Sequence, residues 1–178
     1  AASGSNWDCS SIKAPHEIER YTSSTGEMVA WFLGSTMAAS QVYYVCYDDP
    51  TITTTQEASS TVWDSGAKGI WHHNTLNNTS TDSTSNKNNG ALTNGVATST
   101  SGVIDGSLNF DGVNDRIDLP TDSIGTGTVT ICAWFNTSVL NSFRYIVSNA
   151  RFGFGIYAGN NTLHLTSNTN AGNGLIAT

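Results

Sequence analysis

The sequence predicts an all-β protein, most of it an antiparallel β-sandwich, and three observations carry that expectation. Apolar residues alternate with polar ones in short runs: Leu108 and Phe110, then Ile117 and Leu119 beyond an Asp/Gly/Asn loop, read as two half-buried antiparallel strands of one hairpin. Turn-forming Asn, Gly, Ser and Thr recur about every ten residues from Gly69 onward, the rhythm of a sandwich. No apolar stripe at helical spacing persists, so helices are expected to be nearly absent. The 178 residues suffice for one large or two small domains, each able to bury a core.

Taken in order, residues 1 to 26 alternate weakly around Pro15 (Ile12, Ala14, Ile18), which predicts an edge strand and a loop. MVAWFL (Met28 to Leu33) and QVYYVCY (Gln41 to Tyr47) are rich in β-branched and aromatic residues and are expected to pair, with a single helical turn over 34–40. The threonine-rich run from Thr51 to Lys68 has one large apolar anchor, Trp63, and ends in a glycine-containing turn. That composition places a domain boundary near Ser65, between a small β-rich N-terminal region (residues 1–65) and the sandwich (66–178). Within the sandwich, TVTICAWF (Thr128 to Phe135) reads as a strand, and Arg144 to Asn168 as a ladder of short strands.

Composition narrows the function. The formal charge is −7 and the seven Lys and Arg are scattered singly, so the basic stripe that nucleic acid demands is missing. No run reaches the roughly 20 apolar residues of a membrane helix, so membrane insertion is not expected. Charged residues make up 12%, yet five Trp, six Tyr and six Phe argue for a folded chain, and the abundance of Ser, Thr, Asn and Gly suits an extracellular, cell-surface or virion-surface β protein.

An enzyme is not expected. Retaining glycoside hydrolysis needs two carboxyl groups about 5 Å apart, and the four glutamates, Glu17, Glu19, Glu27 and Glu57, all precede the sandwich. Glu17 and Glu19 share a strand face by spacing, but in HEIER, with Arg20 adjacent, they read as a solvated edge. Nucleophile-elbow, zinc-helix and phosphate-loop motifs are missing. His72 and His73 are neighbours on a presumed strand and point to opposite faces, one inward and one outward, which cannot grip one metal.

Two loops carry the oxygen ligands that calcium prefers: Asp82, Thr84, Asn86 and Asn88 in DSTSNKNNG, and Asp111, Asn114 and Asp115 in DGVND. The same residues are also what tight turns are made of. One structural calcium is therefore the cofactor to test. For a glycan ligand, aromatic faces stack on sugar rings while polar groups fix hydroxyls. Candidates near loop ends are Arg116, Phe143, Arg144, Tyr145, Arg151, Phe152 and Tyr157. Of the three cysteines, Cys9 and Cys46 could form one disulfide in an oxidising compartment, or all three could be buried thiols.

The stretch GSLNFDGVNDRIDLP (Gly106 to Pro120) followed by TVTICAWF resembles the laminin-G-like, concanavalin-A-like (pentraxin-type) jelly-roll family. The resemblance extends back to GIWHHNTLNN (Gly69 to Asn78) as an opening strand, and to Asp82 to Gly106 as a polar turn and second strand. It implies a two-sheet sandwich that buries Trp71 and Trp134, a structural calcium near such loops, and further strands beyond Thr178. The chain would then be a fragment, or be completed by another subunit. Glu27 to Pro50 looks like the tail of a small β-rich domain of unknown function that precedes such jelly rolls in bacterial and phage surface proteins. The expected function is non-enzymatic recognition or adhesion, binding glycans or cell-surface polymers. The alternatives are a structural subunit of a virion decoration, fibre or extracellular filament, associating with copies of itself, and an accessory domain of a secreted glycoside hydrolase.

Overall fold

The computed structural model describes residues 13–34, 38–47, 49–74, 78–121, 123–125, 127–138, 144–149, 151–157, 162–167 and 174–177. The protein is all-β: among the described residues there are eleven strands, every pairing antiparallel, and one four-residue helix. No helix among them is long and apolar enough to cross a membrane. The chain divides into two compact units, Ala1–Thr128 and Val129–Thr178.

In the first unit, β1 (His16–Thr22) and β2 (Glu27–Phe32) form a hairpin. Gly26 makes the turn: at φ 71° it takes the left-handed conformation, and its N–H donates to the Thr22 carbonyl at 2.8 Å. Ile18 pairs with Ala30 but Arg20 with Val29, so Glu19 is the extra residue of a β-bulge. A bulge turns the strand and re-aims a side chain, and here Glu17 and Glu19 are both buried while Ile18 between them is exposed. MVAWFL is thus a strand, but it pairs with 16–22. Gln41–Tyr47 lies outside every strand and is exposed throughout.

The short helix α1 (Ser59–Val62) falls in the threonine-rich run, and its Val62 is buried. The helical turn expected over 34–40 falls partly on residues outside the described ones. A three-stranded sheet follows in the order β3 (Thr79–Ser80), β4 (Gly90–Thr93), β7 (Arg116–Asp118), and a two-stranded one joins β5 (Ala97–Ser99) to β6 (Ser107–Asn109). The strands expected around Leu108 and Ile117 are present, but β6 pairs with β5 and β7 with β4, so they do not form a hairpin with each other. Phe110 is 50% exposed. The expected opening strand at Gly69 is reduced to one bridge, Trp71 to Asp82.

The second unit is a four-stranded sheet in the order β11-β10-β9-β8: β8 (Arg144–Ser148), β9 (Phe152–Tyr157), β10 (Thr162–Ser167) and β11 (Gly174–Ala177). This is the ladder read from the sequence. Gly155 is needed in it, because a Cβ there would run into the Arg144 backbone carbonyl. Residues 128–137, which include TVTICAWF, run without ladder pairing, and Trp134 is 80% exposed where the resemblance implied burial. Strand propensity alone does not close a ladder; the hydrogen bonds come from a partner strand.

Candidate functional site: a histidine between two buried glutamates

The bulge in β1 aims two carboxylates at one imidazole. His72 Nε2 lies 3.3 Å from Glu17 Oε2, and His72 Nδ1 lies 3.1 Å from Glu19 Oε1. A neutral imidazole has one N–H donor and one lone pair. Both nitrogens face carboxylate oxygens, so the ring bridges the two acids. Two indoles complete the group: Trp31 Nε1 donates to Glu19 Oε2 at 2.6 Å, and Trp63 Nε1 to Glu17 Oε2 at 2.9 Å. Ser83 Oγ donates to Glu17 Oε1 at 2.5 Å. The Trp31 and Trp63 rings sit 5.4 Å apart and 6.3 and 6.1 Å from His72. Burial pushes the Glu17 carboxyl up, but the Ser83 hydroxyl, the Trp63 indole and His72 outweigh it and hold it below its ordinary value of 4.5.

The sequence placed Glu17 and Glu19 on one face, and they are; it read that face as solvated, and it is buried. The reason lies far along the chain, since their donors come from positions 63, 72 and 83, across the boundary expected near Ser65. His72 and His73 lie outside any strand and engage different partners, and both are half-buried: His73 shares a 2.8 Å hydrogen bond with Ser80 Oγ. Burial, then the neighbouring His72, lowers the His73 pKa.

Asp82 anchors the first candidate calcium loop and is fully buried. Its Oδ1 accepts the N–H groups of Ile70 and Thr84 at 3.0 and 2.9 Å; its Oδ2 accepts the Thr84 hydroxyl at 2.9 Å and the Asn88 N–H at 2.8 Å. Burial raises its pKa, and these four donors more than reverse that, leaving it below 3.8. Asn86 and Asn88 direct their amide groups to the Lys68 carbonyl, at 3.3 and 2.9 Å. Asp82, Thr84, Asn86 and Asn88 therefore build a turn, and the carboxylate has no lone pair left for a cation, so calcium does not fit this loop. In the second loop Asp111 Oδ1 accepts the Val113 N–H and Asp115 Oδ2 the Asp111 N–H, while the Asn114 carbonyl accepts from Asn94; Asp115 Oδ1 alone is buried without a partner. Among the described residues no group of three or more acidic, histidine or cysteine side chains is placed to hold a metal.

The other candidates are dispersed. Arg116 is exposed on β7 and binds Asp118 at 2.8 Å. Arg144 and Arg151 lie at opposite ends of the β8–β9 hairpin, Tyr145 is 57% exposed with its ring over Gly153, Phe152 is half-buried, and Tyr157 closes β9. Phe143 lies outside the described residues. Cys46 is disulfide-bonded and Cys132 is free and exposed; Cys9, the partner suggested by the sequence, lies outside the described residues. Trp71 is half-buried and donates to the Asn88 carbonyl.

A second concave feature went unread in the sequence. A pocket of about 360 Å³ is lined by Phe32, Ala38, Ala39, Gln41 and Tyr43, with the Phe32 and Tyr43 rings 4.7 Å apart and tilted by 54°. The aromatic content of these two runs was its signal. No protein-family model, curated protein or solved structure matches the chain.

Proposed function

We propose that the chain is a non-enzymatic extracellular recognition module, a β domain that binds glycans or cell-surface polymers. The observation that carries this reading is the Phe32–Tyr43 pocket: two aromatic rings, one amide from Gln41 and, among the described residues, no ionised side chain in the lining. Its volume is within the range of small-ligand sites, and such a lining suits a neutral ring-shaped ligand with an apolar face and hydroxyls, as a pyranose has. A binding role is also favoured because the one acid pair on a shared strand face, Glu17 and Glu19, is buried and already engaged by indole, hydroxyl and imidazole groups. The resemblance to laminin-G-like jelly rolls points the same way, as fold analogy. A glycan array with and without chelator tests it: a neutral sugar retained by the protein and lost in Phe32→Ala supports it, and no sugar retained under any condition overturns it.

A structural subunit is the second reading. Among the described residues the buried apolar side chains are Val62, Val96 and Ile156, while Val42, Tyr44, Val45, Tyr47, Val113 and Trp134 are each more than half exposed. Apolar surface on that scale suits association with copies of the chain or with another subunit. Light scattering after size exclusion decides it, because a monomer at high concentration removes the assembly role.

A further inference from the structure

The β1–β2 hairpin is fastened to the rest of the first unit mainly by polar groups, with the Trp31–Trp63 ring contact beside them. Ile18, Tyr21, Met28 and Phe32 on it are all more than a third exposed. Its fastenings are the Trp63, Ser83 and His72 contacts to Glu17 and Glu19, the Ile18 N–H donated to Glu57 at 2.7 Å, the Ala58 N–H donated to the His16 carbonyl at 2.9 Å, and the Asn74 amide at 3.5 Å from the Glu19 carbonyl. An isolated two-stranded hairpin is marginal in water, so its order depends on these groups. We propose that Glu17, Glu19 and His72 form an acid-sensitive clasp that holds this hairpin to the 57–84 stretch and releases it on acidification.

The charges facing the clasp make acid the releasing direction. His72 is the imidazole that the 70–74 segment supplies to the two carboxylates; its neighbour His73 bonds Ser80. β2 supplies the neutral Trp31, the residue after α1 supplies Trp63, and the following loop supplies Ser83. Glu57 adds a further acid at the Ile18 end, Arg20 on β1 is engaged with Glu27 at 4.0 Å, and His16 faces the Ala14 carbonyl. Ser83 and Trp63 donate to the Glu17 carboxylate and His72 Nε2 faces it, so a proton added there weakens the contacts that hold the hairpin.

Hydrogen exchange on the full-length chain tests the clasp, and no sugar is needed for the readout, so it is independent of the glycan assignment. Amides of β1 and β2, corrected for intrinsic rates, should lose protection about tenfold or more as pH falls below 4.5, while β9 and β10 keep theirs. Trp31 and Trp63 fluorescence should change over the same interval. Glu17→Gln with Glu19→Gln should flatten that pH response, whereas Asp118→Asn, an exposed acid, should leave it intact. If the double variant fails to fold, the wild-type exchange still decides. Hairpin protection that is constant with pH, or lost together with that of β9 and β10, would overturn the clasp.

Discussion

Asp82 and Glu17 are both buried carboxylates held by several partners, yet those partners come from different distances. The four hydrogen bonds on Asp82 come from Ile70, Thr84 and Asn88, within twelve residues of chain, and three of them are backbone N–H groups. Those on Glu17 come from side chains 46, 55 and 66 residues away. The first acid organises a turn and the second joins separate segments. Losing the first should damage a loop whose buried N–H groups have nowhere else to donate; losing the second should loosen a docked hairpin.

The largest effect is expected at Asp82. Asp82→Ala strands buried donors on Ile70, Thr84 and Asn88 and should cost about 3 kcal/mol in a denaturant titration, a stranded donor and a charged hydrogen bond being worth ~1–3 kcal/mol each. Glu17→Ala leaves Ser83 and the Trp63 indole seeking partners closer to the surface and should cost about 2 kcal/mol, with loss of protection confined to β1 and β2. Equal costs, or a Glu17 variant that unfolds everything at once, would erase the distinction between turn organiser and clasp.

Acid should separate the two sites as well. Both groups have folded-state pKa values below their ordinary ones of 4.5 and 3.8, so each contributes stability that is complete above the ordinary value and is lost as pH falls through the lower, folded one. An acid titration followed by circular dichroism should therefore weaken the protein progressively below 4.5, and Glu17→Gln should remove the part that tryptophan fluorescence follows. The smallest effect belongs to Asp118, which is also lowered, by the Arg116 and Thr93 hydrogen bonds, but is exposed at the surface. Asp118→Asn should leave the melting temperature unchanged within error, since exposed ion pairs contribute little.

The same contrast explains what the sequence disclosed. Period-two alternation was enough for the all-β class and for the strands at 28–32, 107–109, 116–118, 144–148, 152–157 and 162–167, because burial on one face is written locally. Partnership is not local: Leu108 and Ile117 sit in strands that pair elsewhere, and QVYYVCY and TVTICAWF have strong strand composition without a ladder. The DSTSNKNNG loop announced a carboxylate hub, and only its purpose, turn rather than cation, required coordinates. Glu17 and Glu19 announced a shared face, but their burial is set by Trp63, His72 and Ser83, which no spacing rule connects to HEIER.

The ionisation of Glu17 tests this account most directly. Following its side-chain carboxyl carbon by NMR through an acid titration of the intact chain, the account predicts a midpoint below 4.5, with the Trp31 and Trp63 indole N–H signals moving in step. A midpoint at or above 4.5, or indole signals indifferent to it, would contradict a carboxylate held by Ser83, Trp63 and His72.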